Sequence, residues 1–134
     1  MLSGNEVKKD ITVKIHAVLG NIDLKRFHFQ KGDNGSPEGI YIFQKEKQYH
    51  WVIVEKGRVR EDKVVSLNEI LHNIVESVAF DIALEYAVQN QKKGEDFRRN
   101  LFKKELEIHT MFGFGEEKKR EIQDILKRNP YNDC

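Results

Sequence analysis

One stretch constrains the fold more than any other. Ser66-Leu67-Asn68-Glu69 has the pattern of a helix capping box, in which a Ser hydroxyl and a Glu carboxylate satisfy free amides of the first turn. Behind it Leu67, Ile70, Leu71, Ile74, Val75, Val78, Ala79, Ile82 and Tyr86 recur at helix spacing. Phe80, Ala83, Leu84, Ala87 and Val88 widen the stripe nearly all round in its second half. A helix apolar on so much of its surface needs cover from other elements. The pattern predicts the central core helix here, ending near Gln91.

The elements around it follow from periodicity. Val7, Ile11, Ile15, Val18 and Leu19 predict a first helix over residues 5 to 19, capped by Ser3 or Asn5 and stopped at Gly20. Phe27 and Phe29 alternate with polar residues, a short strand signal. Lys31 to Pro37 is a dense turn cluster. Gly39 to Lys45 and Tyr49 to Lys56 predict a hairpin whose separator, Glu46-Lys47-Gln48, lacks Asn-Gly turn chemistry. A fourth short strand is expected at Lys63 to Val65, after a charged link. Both hairpin faces are apolar, which predicts helices over one face and a loop over the other; the alternative is an aromatic face kept for a partner. Two further helices are expected, about 95 to 112 and 116 to 128, the last mostly charged. Strands first and helices later indicate an α+β fold: an N-terminal helix, a small antiparallel sheet of three or four strands, then three C-terminal helices packed on it. The length of 134 residues fits one domain, residues 1–134.

Composition excludes several classes. Lys and Arg number 23 against 22 Asp and Glu, so the basic excess of a dedicated nucleic-acid binder is missing. A single cysteine, Cys134, rules out an intrachain disulfide and makes a poor preorganised nucleophile. Neither a signal peptide nor a membrane span is visible, so the expected location is the cytoplasm, with no membrane partner.

Little in the chain points to catalysis. His16, His28, His50, His72 and His109 are scattered one per element, with no HExxH or CxxC spacing, so no metal site and no cofactor are expected. Asp33-Asn34-Gly35 reads as a turn, and Gly113-Phe114-Gly115 as a helix stop. Glu55 and Asp96 would be the carboxylates of a metal-dependent nuclease, but no third acid is placed with them. Asp96 fits a helix cap, and Arg98 is expected to pair with Glu55 or Glu85. The central helix carries Glu69, Glu76, Asp81 and Glu85 and no Lys or Arg. Residues 92 to 128 hold eleven basic and eight acidic residues. An acidic helix face suits a basic protein partner; a merely solvated face is the plain alternative, as is neutralisation of Asp81 and Glu85 by Arg98 or Arg99.

Three spaced motifs carry a family resemblance. Tyr49-His50 opens a strand running into Glu55-Lys56-Gly57. Asp96-Phe97-Arg98-Arg99 precedes Phe102. Ile125-Leu126 leads to Pro130-Tyr131-Asn132-Asp133. In order and spacing these resemble the Glu-Arg-Gly, Asp-x-Arg-Arg-x-x-Phe and Ile-Leu-x-x-x-Pro-x-x-Asp elements of a bacterial toxin-immunity family, immunity protein 63. Lys56 departs from the family's Arg, and Glu85 precedes Tyr86 where the family has the acid after it. The resemblance implies a single non-enzymatic domain that binds the C-terminal domain of a cognate polymorphic or contact-dependent toxin. It assigns motif roles, structural or functional, to Glu55, Gly57, Asp96, Arg98, Arg99, Phe102, Pro130 and Asp133. Candidate toxin contacts are Glu46 and Tyr49 on the hairpin and Glu69 and Glu76 on the central helix. The alternative function is a cytoplasmic regulatory or adaptor module for another protein. Oligomeric state is open.

Overall fold

The computed structural model describes residues 1–134, in the order α1 (Gly4–Leu19), β1 (Phe27–His28), β2 (Gly39–Lys45), β3 (Gln48–Glu55), β4 (Arg58–Val65), α2 (Leu67–Asn90), α3 (Arg98–Met111) and α4 (Gly115–Arg128). The fold is α+β, with one helix ahead of a four-stranded sheet and three after it. Two compact units are distinguished, Met1–Leu71 and His72–Cys134, divided within α2.

In the first unit Ser3 caps α1: its hydroxyl accepts from the Glu6 amide, and the Glu6 carboxylate accepts from the Ser3 amide. Val7, Ile11 and Ile15, one turn apart, form the buried face of this helix. The sheet order is β1-β2-β3-β4. It is mixed rather than wholly antiparallel, because β1 runs parallel to β2 through Phe27–Ile40 and His28–Tyr41. The turn-rich segment after Phe29 carries the chain back across the sheet, so the short strand re-enters in the same direction as its neighbour.

The fourth strand is longer than the three residues expected. Arg58 to Asp62 belong to it, despite their charges, because an edge strand can hold charged side chains in solvent while its backbone completes the ladder. Both hairpin turns contain two residues with positive φ, Glu46 (53°) with Lys47 (63°) and Lys56 (51°) with Gly57 (75°). That is the type I′ geometry matching the twist of the flanking strands.

The expected two-sided cover of the hairpin is present on the loop side. Tyr41, Val52 and Val54 form a buried cluster with Phe43 and Val59 packed on it. The segment after Phe29 lies over this face. Gly32 sits so close to the Tyr41 ring that a Cβ there would lie 2.2 Å from it. The Tyr41 hydroxyl donates to the Pro37 carbonyl at 2.7 Å. The Val59 amide donates to Asn34 Oδ1 at 2.8 Å, tying the loop to β4. On the opposite face Phe27 lies against Trp51, ring centroids 6.2 Å apart.

In the second unit Ala83 and Ala87 are fully buried and share a cluster with Leu101, Phe97 and Phe102. Ala83 and Ala87, one turn apart on α2, present one face to the larger side chains of Phe97, Leu101 and Phe102. Helix α3 starts at Arg98, three residues later than expected: Lys93-Gly94-Glu95 forms a turn, Phe97 flanks the helix without a side-chain cap, and Asp96 ahead of it accepts from the Arg98 amide.

Candidate functional site

The second and third motifs meet at one place. Asp96 accepts from the Arg98 amide at 2.9 Å and from the Asn132 amide at 2.7 Å, and takes the Arg98 guanidinium at 2.8 Å. Arg98 also donates to the carbonyls of Asn129 and Pro130, at 2.8 and 2.9 Å. Arg99 holds both Asp133 oxygens, and Asp133 in turn accepts from the Asp96 amide. The Tyr131 ring lies under both guanidiniums, 4.1 Å from that of Arg99, with Phe102 beside it. Hydrogen bonds hold the Asp96 carboxyl far below the usual carboxylate range: the Arg98 side chain is the largest cause, then the amides of Asn132 and Arg98. Hydrogen bonds from the Arg99 side chain similarly lower Asp133. These residues form a clasp that fastens the last residues of the chain to the start of α3. Arg98 therefore pairs with Asp96 and not with Glu55 or Glu85. Glu85 accepts from Gln89, and the two guanidiniums are taken up by Asp96, Asp133 and the tail carbonyls.

The first motif forms a turn. Lys56 and Gly57 occupy its two left-handed positions, which Gly takes without a Cβ penalty. Glu55 is exposed and pairs with Arg60 at 2.6 Å. Glu55 and Asp96 thus have separate ionic partners, Arg60 and Arg98.

The four candidate contacts differ in their freedom. Glu46 is exposed at the hairpin tip. Tyr49, expected on the surface, is buried: its hydroxyl accepts from the Leu2 amide at 2.9 Å and faces the Leu2 carbonyl. An aromatic ring one register position from the end of β3 is better used to anchor the chain ahead of α1. Glu69 is exposed but completes the expected capping box with Ser66, whose amide lowers its carboxyl. Glu76 is half-buried and bonds to His109 and Lys118.

Both partners belong to a cluster that the sequence reading missed. His109 is fully buried, with Nδ1 2.8 Å from the Glu105 carbonyl and Nε2 2.9 Å from Glu76 Oε2. Lys118, also buried, reaches Glu76 Oε1 at 2.8 Å, Glu105 at 3.1 Å and Glu121 at 3.3 Å. The hydrogen bond from His109, followed by that from Lys118, lowers the Glu76 carboxyl to about 2 although burial opposes it. Burial would lower Lys118, but the hydrogen bonds and charges of Glu76 and Glu105 outweigh it, and the net shift is upward. The available signals were two i,i+4 pairs, His72/Glu76 and Glu105/His109, on separate helices.

One further surface stands out. Phe80, Leu84 and Val88 are spaced i, i+4, i+8 on α2 and all are exposed. Asp81 and Glu85 lie exposed beside them. The second-half widening of the stripe is therefore divided: Ala83 and Ala87 pack against α3, and the three larger residues face solvent.

Comparison with protein families matches residues 45–124 to Immunity protein 63. The chain belongs to the immunity protein 63 family. The matched span contains the Glu55 turn, the Asp96-Arg98-Arg99 half of the clasp and Phe102. It ends before Pro130 and Asp133, which the geometry nonetheless joins to the family motif. No curated protein and no solved structure matches the chain. No helix is long and apolar enough to cross a membrane.

Proposed function

We propose that this protein neutralises a cognate bacterial toxin by binding its C-terminal domain, without catalysis of its own, inside the cell that makes it. Family membership supports a toxin as the partner. The observation that supports a binding surface is the exposed Phe80-Leu84-Val88 stripe with Asp81 and Glu85 at its side. Contiguous large apolar residues in water are costly to leave uncovered and mark interaction sites. An apolar centre sets the off-rate, and the acidic rim of a helix without Lys or Arg speeds encounter with a basic partner.

A second contact is proposed at the hairpin tip. Glu46 and Lys47 hold left-handed backbone where Asn-Gly would be the relaxed choice. Their exposed, opposite charges there suit partner recognition. Glu69 remains a candidate contact through its outer carboxylate edge, and Glu76 through its solvent side. The single-domain reading of residues 1–134 is part of the same proposal, as is a role for the motif residues in the scaffold, with discrimination among toxins left to the surface.

The test is protection. Cells expressing the toxin domain from the neighbouring gene should survive when this chain is co-expressed and die when it carries Leu84→Asp. Survival with the variant would remove the helix stripe from the account. Death with the wild-type chain would favour a regulatory module for another protein.

A further inference from the structure

We infer that His72, Glu76 and His109 form a binding site for a divalent transition metal, with zinc as the best match. One ligand atom from each lies within 4.8 Å of the other two. His72 and Glu76 are one turn apart on α2, and His109 faces them from α3. Two imidazoles and one carboxylate are a donor set that zinc favours.

The strongest support is the way His109 is held. Its Nδ1 lies 2.8 Å from the Glu105 carbonyl, which can only accept, so Nδ1 carries the hydrogen. Nε2 then faces Glu76 Oε2 at 2.9 Å, with no protein donor between them. In a neutral ring that places one lone pair against another. A metal ion held between the two atoms would be bound by both lone pairs. A ligating histidine whose other nitrogen donates to a backbone carbonyl is the usual supported arrangement around zinc. Glu76 is oriented in the same way, since Lys118 takes Oε1 and leaves Oε2 toward the site.

Charge and access agree. Glu76, Glu105 and Glu121 surround a single ammonium, that of Lys118, and Glu117 lies beside His72, so the cluster has negative charge to spare for a dication. His72 is partly exposed, with its ring edge on Phe114 at 4.7 Å. It has room to close on an ion at the roughly 2.0–2.1 Å zinc–nitrogen distance. Glu117 is an exposed carboxylate 3.5 Å from His72 Nε2, beside the three ligands. The bound ion would cross-link α2 to α3 and strengthen the second unit.

The test uses the purified full chain and no toxin, so its outcome is independent of the immunity reading. Titration with zinc chloride by calorimetry should show one equivalent bound, and cobalt(II) should give the visible absorption of a low-coordinate site. His72→Ala removes a ligand from a partly exposed position, and Glu76→Gln weakens one. Each should lower affinity by at least the roughly 10–100-fold that losing a supporting partner costs. Zinc should raise the melting temperature of the wild-type chain and not that of His72→Ala, whose fold is checked by circular dichroism. No binding by the wild-type chain overturns the proposal. So does binding of equal strength in both variants, which would be adventitious.

Discussion

Arg99 grips Asp133 with two nitrogens, Nη2 to Oδ2 at 2.6 Å and Nε to Oδ1 at 3.1 Å, across most of the length of α3 and α4 in sequence. A fork of this kind fixes direction as well as distance. With Arg98 on Asp96 and on two tail carbonyls, it makes a family motif into a fastening for the chain's last residues. Asp96, Arg98, Arg99 and Asp133 thereby have structural roles.

Asp133→Asn should free the tail without unfolding the helices. Hydrogen exchange is the direct measurement: the Asn132 and Cys134 amides, now bonded to Asp96 and Gly94, should exchange faster while α3 core amides hold. Arg98→Lys should loosen the same segment, because an ammonium cannot serve Asp96 and two carbonyls in one plane. Unchanged tail exchange in both variants would contradict the clasp.

Acid should release it as well. Asp96 and Asp133 both have folded-state pKa values below their ordinary one. A depressed carboxylate contributes stability that is complete above its unfolded pKa, about 3.9, and is lost as pH falls through the folded value. Urea melts should therefore show wild-type stability falling from about pH 5 downward, more steeply than that of Asp96→Asn. Parallel curves would mean that the carboxylate is not coupled to folding.

Lys118 offers a larger effect. Removing its ammonium leaves Glu105 buried beside nothing cationic, a change that typically costs about 3–5 kcal/mol. Lys118→Met should lose that much by denaturant titration, and adding Glu105→Leu should recover part of it. A loss under about 1 kcal/mol would show the pair to be solvated.

The hairpin tip separates stability from binding. Replacing Glu46-Lys47 by Asn-Gly relieves two non-glycine residues at positive φ, each costing about 1–2 kcal/mol in left-handed backbone. The variant should melt higher and bind toxin more weakly. A variant that gains stability and keeps full affinity would remove the tip from the interface.

Local signals were read well and distant pairings were not. The Ser66–Glu69 box and the Ser3 cap are visible because a helix start is decided within four residues. The parallel β1–β2 pair is not, since two residues carry no periodicity to announce direction. The charges of Arg58 to Asp62 hid β4, because an edge strand is held by its backbone and not by an apolar pattern. Tyr49 was misplaced because alternation gives a face and says nothing about whether a terminus folds onto it. The His109–Glu76–Lys118 cluster draws one residue from each of three helices, and only tertiary packing brings such residues together.

The most direct measurement is calorimetric titration of the purified chain with the C-terminal domain of the toxin encoded beside it. One-to-one binding with slow dissociation, weakened at least about tenfold by Leu84→Asp, is the predicted result, a loss of about 1.4 kcal/mol. Absence of binding, or equal affinity in Leu84→Asp and the wild-type chain, would contradict the account.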